Sequence, residues 1–207
     1  MPTLTDAEYW DKVALPKENE EKRDGIVYIR SNYHKGSLIM HEMLKHDFTK
    51  KRVLEIGCGS GVIGAAMSTL YMGNMKYVGM DISKEFLKVA RLVMMLEAVE
   101  GRITEIPFED ESFDYVWMFD VFEHIAPEQR EKAGQEIGRV LKKGGMLIMN
   151  SPIMESKHDE NFDFGIGKPD MDNLMVNANI ERTKLKIIHY STEKDPLRAY
   201  IYEEFKK

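Results

Sequence analysis

A chain of 207 residues with 43% apolar and 31% charged residues can bury a sizeable core and has an ordinary globular balance. Its formal net charge of −6 argues against broad capture of a nucleic-acid backbone, and a single cysteine, Cys58, excludes an internal disulfide and any multi-cysteine metal site. No apolar run approaches the roughly 18 residues of a membrane span, and "MPTLTDAEYWDKV" lacks the basic-then-apolar pattern of a secretory signal, so a cytoplasmic setting is expected.

The first fifty residues read as helical and irregular, with the charged stretch "PKENEEKRDG" as a solvated face. From Arg52 short apolar runs alternate with amphipathic helices, the pattern of a parallel sheet covered on both faces. "RVLEI" is the first strand, followed by a glycine loop and a helix to about Leu70; "KYVGM" is the second strand. Ser83 is placed to cap a helix whose apolar stripe is Phe86, Val89, Ala90, Val93 and Met94. A weak strand is expected at "RITEI" and a stronger one at "FDYVWMF", after which Pro127 opens a helix at its favoured first position. That helix is expected to run to "VLKKGG", stopped by a left-handed Gly144, before the strand "MLIMN". A helix over Met171 to Asn179 follows, then "TKLKIIHY" and "RAYIYEEF", which pair antiparallel because no helix separates them. Most of the fifteen methionines, some in runs such as "RLVMML", are expected as pliable core filler.

Residues 57–64, "GCGSGVIG", satisfy two fingerprints at once. Gly59, Gly61 and Gly64 give G-x-G-x-x-G, the dinucleotide signature, whereas Gly57, Gly59 and Gly61 give G-x-G-x-G with an acid upstream at Glu55. Both forms turn the backbone sharply and present free N–H groups at a helix start, and both call for an acid at the end of the second strand, where Asp81 stands. Glu55 discriminates better. A carboxylate in an apolar strand is expensive to bury without a partner, and an ammonium has the right charge for it while a pyrophosphate has the wrong one. The competing reading pairs Glu55 with a nearby Lys or Arg.

The segments "RVLEIGCGSGVIG", "YVGMDISKEFLKVAR", "IPFEDESFDYVWMFDVFEHI" and "EIGRVLKKGGMLIMNSP", taken in this order, resemble the class I S-adenosylmethionine-dependent methyltransferases with a type 11-like core. The resemblance covers about half the chain, from Arg52 to Pro152. It implies an α/β, Rossmann-like, doubly wound sheet of seven strands, six parallel and the last antiparallel. It further implies one domain, with residues 1–50 as a helical lid region and 51–207 as the core. Gly57, Cys58, Gly59 and Gly61 would line the methionine portion of S-adenosylmethionine, with Glu55 near its ammonium. Asp81 would hold the ribose hydroxyls and Ile82 would flank the adenine. Members often carry an acid just before the "PF" segment; here Arg102 and Ile103 stand there, so the backbone of Ile103 and Thr104 is expected to serve the adenine instead. Phe119 and Asp120 would border the sulfonium and the acceptor. In this reading Gly64 is a helix residue permitting close packing, and Cys58 a small residue in a tight loop.

Methyl transfer from a sulfonium needs alignment and exclusion of water more than a fixed catalytic motif. The family places the loop "DVFEHI" at the active site, which makes His124 the candidate base, with Glu123 beside it. The alternative has both residues simply orienting the loop. Asp120, Glu123 and His124 with the distant His158 also resemble a metal set of a minority of these enzymes, but the spacing is loose and no metal is assigned. Tyr33 and His34 could close over the cofactor from the N-terminal region, and "IMESKHDENFDFGIGKPDMD" is long enough to form a substrate rim. Trp10 and Tyr9 either anchor the N-terminal helix or line the pocket. His41, His46 and His189 read as ordinary helix or strand positions. The expected partner is a small molecule methylated at oxygen, nitrogen or carbon, with no nucleic acid. A protein or lipid-linked acceptor, a non-catalytic cofactor-binding partner and a nicotinamide oxidoreductase are the competing functions. No motif specifies an oligomeric state.

Overall fold

The computed structural model describes residues 6–14, 39–152, 164, 166–189 and 199–207. "PKENEEKRDG", Tyr33, His34, His158 and most of the expected rim lie outside the described residues. The strands are β1 (Arg52–Ile56), β2 (Lys76–Asp81), β3 (Ala98–Glu100), β4 (Phe113–Phe119), β5 (Leu141–Pro152), β6 (Glu181–His189) and β7 (Ala199–Lys206). The helices are α1 (Asp6–Ala14), α2 (Val62–Leu70), α3 (Lys84–Leu92), α4 (Pro127–Val140) and α5 (Lys168–Ala178). All seven strands form one sheet in the order β3-β2-β1-β4-β5-β7-β6. β1 to β5 pair in parallel, and β7 is antiparallel to both β5 and β6, so six strands share one direction. This is the Rossmann-like α/β sheet that the family resemblance implies.

Period-two alternation sorts the side chains of each strand onto two layers. Leu54, Ile56, Val116, Met118, Leu147 and Phe205 pack on one face against Ile137 of α4 and Leu174 of α5. Val53, Tyr77, Trp117, Ile148 and Tyr202 pack on the other against Met43, Phe48 and Met67. Glu55 lies in register beside Gly79 of β2 and Trp117 of β4, between Leu54 and Ile56. Met43, Met67, Met80, Met118 and Met149 fill the core, but Met72 and Met95 are exposed, so the filler reading holds for only part of the set.

Residues 39–43 are helical and meet the edge strand β6 through Glu42. The buried carboxylate of Glu42 meets Lys45, Lys184 and Lys186 at 2.7, 3.0 and 2.5 Å. Burial pushes that carboxyl up, but the hydrogen bonds from Lys186, Lys45 and Lys184 outweigh it and hold it at about 2.

Three local expectations are corrected. The third strand is Ala98–Glu100, and "RITEI" forms a turn closed by an isolated Arg102–Glu105 bridge. Both backbone groups of Ile106 are taken by α4: its N–H donates to Glu136 Oε2 and its carbonyl accepts from Arg139 Nη2, each at 2.8 Å. They are therefore lost to a ladder. Helix α4 ends at Val140, four residues before Gly144, because Lys207 Nζ caps the carbonyls of Gly138 and Leu141 at 2.6 and 2.8 Å. Gly144 is left-handed, with φ +75°, but it turns the chain inside the entry to β5. The α3 stripe also ends early: the helix stops at Leu92 and leaves Val93 exposed, so its buried positions are Phe86, Leu87 and Ala90. Ser83 caps it as expected, its Oγ accepting from Phe86 N–H at 3.2 Å.

Candidate active site

The strand order reverses direction between β1 and β4, which opens a crevice at their carboxyl ends. A cavity of about 350 Å³ occupies it. That volume lies within the roughly 300–1,000 Å³ of small-ligand sites. Its wall includes Glu55, Gly57, Cys58, Gly59, Asp81, Ile82, Ile103, Thr104, Phe119, Asp120 and His124, brought together from five separate stretches of chain.

Gly57, Gly59 and Gly61 all adopt left-handed backbone, with φ of +67°, +53° and +79°. The loop is hung from the end of β2, where the N–H groups of Gly57 and Cys58 donate to the Met80 carbonyl at 2.7 and 3.1 Å. A Cβ at Gly57 would lie 2.3 Å from Val121 Cγ2, so the glycine permits contact with the loop after β4. A Cβ at Gly59 would meet nothing within 4 Å, which leaves backbone facing open space. Gly61 is the exception among the expected lining residues. It caps α2 and backs onto Leu96 and Ala90, outside the cavity wall.

Asp81 organises this loop. Its Oδ2 accepts from Gly59 N–H and its Oδ1 from Ser83 N–H, both at 2.8 Å. Burial raises its carboxyl above the ordinary range, and the backbone donors of Ser83 and Gly59 oppose that rise. Each oxygen keeps acceptor capacity toward the cavity. Glu55 is 3% exposed, and its partner is neither Lys nor Arg: Tyr77 donates its hydroxyl to Glu55 Oε2 at 2.5 Å. Burial lifts the Glu55 carboxyl to about 8, against the pull of the Tyr77 hydrogen bond and with a further push from Asp81. Cys58 is also buried, and burial, Asp81 and Glu55 raise its thiol well above the ordinary value. That environment suppresses a thiolate and agrees with the small-residue reading.

Asp120 sits in left-handed backbone, with φ +52°, and Asn150 holds it there: Asn150 Nδ2 donates to Asp120 Oδ1 at 3.0 Å. His124 ends a short 3₁₀ turn, Phe122–His124. Buried Arg130 braces that turn, donating from Nε to the Ile125 carbonyl at 3.0 Å while its guanidinium lies 5.4 Å from the Phe122 ring centre. Glu123 is buried and stands apart from the cavity wall, its carboxylate 4.0 Å from His124 Nε2. Of the expected catalytic pair, His124 lines the cavity and Glu123 does not. Among the described residues no group of three His, Cys, Asp or Glu side chains is placed to hold a metal ion.

Helix α1 supplies wall residues that the sequence left undecided. Asp6 and Trp10 line the cavity. Asp6 forms a two-pronged ion pair with Arg102, at 2.7 and 2.8 Å, and Asp11 accepts from the Ser83 hydroxyl at 2.7 Å. The Trp10 ring packs edge-on against His124 with centroids 4.8 Å apart. Arg102, the misfit in the sequence, is therefore the latch for α1. The acid at position 6, ninety-six residues away, could be paired with it only in three dimensions.

A glycine loop at the switch point, an acid closing β2 and a β7 inserted antiparallel are the features by which this domain resembles the class I, S-adenosylmethionine-dependent methyltransferases. Residues 54–149 match the family described as a methyltransferase domain. An uncharacterized protein of Methanocaldococcus jannaschii is 36% identical over 108 residues, which is 52% of this chain and 48% of that protein. The malonyl-[acyl-carrier protein] O-methyltransferase of Herminiimonas arsenicoxydans is 33% identical over 113 residues, 55% of this chain and 42% of that enzyme. This chain thus spans about half the length of the curated relatives or less. The fold also superposes on phosphoethanolamine N-methyltransferase 2 of Haemonchus contortus in complex with S-adenosyl-L-methionine, with TM-score 0.70 at 15% identity, covering 99% of this chain and 60% of that one.

Proposed function

We propose that this chain transfers a methyl group from S-adenosylmethionine to an oxygen, nitrogen or carbon atom of a small-molecule acceptor. The observation that carries the reading is a single cavity lined by Glu55, Gly59, Asp81, Asp120 and His124 together. The donor set fits the cofactor. Glu55 would face its ammonium, the open backbone at Gly59 its amino-acid portion, and Asp81 its ribose hydroxyls. Ile82, Ile103 and Thr104 give the adenine an apolar and backbone-lined slot, and Phe119 and Asp120 border the acceptor side.

S-adenosylmethionine supplies, when bound, an activated methyl on sulfur. The chain's own work is orientation, which is worth on the order of 7–11 kcal/mol in good cases. His124 would take the proton of a hydroxyl or ammonium acceptor, with Arg130 fixing the turn that carries it. Helix α1, latched through Asp6 and Asp11, would exclude water as a lid over the site. A site covered by Asp6 and Trp10 favours a small acceptor over a protein or lipid-linked one.

The test has two stages. Calorimetry should show S-adenosylmethionine binding, and NADH binding in its place would overturn the reading. A screen with labelled cofactor against metabolite pools should then give labelled product. Cofactor binding with no labelled product from any pool, proteins and lipids included, would favour a non-catalytic partner.

A further inference from the structure

Tyr77 and Glu55 belong to neighbouring strands but are not opposite one another. The parallel register sets Val53 beside Tyr77 and Glu55 beside Gly79. To reach Glu55, the tyrosine must run its ring along the sheet toward the carboxyl ends of the strands, over position 79. Two glycines outside the cofactor fingerprint clear that path. A Cβ at Gly64 would lie 2.2 Å from Tyr77 Cζ and 2.4 Å from its hydroxyl oxygen. One at Gly79 would lie 3.1 Å from the same oxygen and 2.7 Å from Cys58 Sγ.

The result is a buried hydroxyl donating to a buried carboxyl that forms part of the cavity wall. The remaining groups that act on Glu55 are the Gly64 N–H, a donor, and Asp81, an acid. None is a cation. The carboxyl is therefore oriented by neutral donors, and the positive charge that would favour its ionised form must enter the cavity with a ligand.

We propose that Tyr77 is a positioning residue of this site, holding the Glu55 carboxyl against the cavity wall as a receptor for the ammonium end of an amino-acid-bearing ligand. The proposal rests on the cofactor reading above. It differs from a plain core role for Tyr77 in one respect: the effect is confined to ligands that carry the ammonium.

Calorimetry with S-adenosylhomocysteine and with 5′-methylthioadenosine, which lacks the amino-acid end, separates the possibilities. For Tyr77→Phe, loss of a hydrogen bond to a charged group should weaken S-adenosylhomocysteine by about tenfold or more. Methylthioadenosine should change by less than about twofold. Gly64→Ala, which pushes the ring aside, should show the same selective loss. Equal losses for both ligands, or none for either, would make Tyr77 a core residue and overturn the proposal. Wild-type protein that binds the two ligands equally well would overturn the ammonium role of Glu55 itself. Wild-type protein that binds neither would instead overturn the cofactor reading.

Discussion

Glu55→Gln is the substitution whose outcome the structure fixes most closely. The native carboxyl is held near 8, whereas an unfolded glutamate titrates near its ordinary 4.5. Between those values the folded chain binds the proton and the unfolded chain has released it, so ligand-free stability falls as pH rises through that window. The slope has a ceiling of about 1.4 kcal/mol per pH unit, which adds up to a few kcal/mol. Below about pH 4.5 the contribution is flat, and above about 8 it has reached its full size. Glutamine keeps an oxygen for the Tyr77 hydroxyl but does not titrate. Urea unfolding at about pH 5, 6, 7 and 8 should find the two proteins alike at the acid end and the glutamine variant the more stable at the alkaline end. S-adenosylmethionine affinity should move the other way, weaker in the variant throughout. Parallel stability curves across the window would refute the reasoning, because they would mean that Glu55 is ionised in the folded protein at neutral pH.

Three further outcomes are expected. Asp81→Ala removes the acceptor for two backbone N–H groups as well as the proposed ribose contact, and S-adenosylmethionine affinity by calorimetry should fall at least about 100-fold; unchanged affinity would sink the site assignment. His124→Ala should lower kcat by about 10²–10⁴-fold on an identified acceptor, while normal turnover would remove it from the role of base. Of the two tryptophans, Trp117 is buried in the core and Trp10 lines the cavity, so cofactor titration should change the emission of wild-type protein and leave that of Trp10→Phe nearly flat.

The order of strands and the cofactor loop were legible because local chemistry announces them. Buried strands read as apolar runs, a lone acid interrupts one of them at Glu55, and Asp81 stands at the end of the next. What escaped is what depends on contacts between distant residues. Arg102 looked misplaced until Asp6 arrived beside it, and the partner of Glu55 within the chain went unnamed because Tyr77, twenty-two residues on, carries no sign of its target. "RITEI" has strand-like residues, but α4 captures the backbone of Ile106. Gly64 packs closely on the sheet as its place in the helix suggested, but that the group it clears is the Tyr77 ring could be seen only in three dimensions.

The contact of Gly57 with Val121 has an engineering consequence. Val121 follows β4 and belongs to the wall where an acceptor would sit, yet its methyl group occupies the space a side chain at Gly57 would need. Reshaping that wall with a bulkier residue at position 121 would press on the cofactor loop, and trimming it to alanine would remove the loop's backing. Acceptor preference and cofactor affinity are mechanically coupled at this point. Variants selected for a new acceptor through position 121 should therefore carry a change in cofactor affinity with them, and compensation would be sought in the glycine loop.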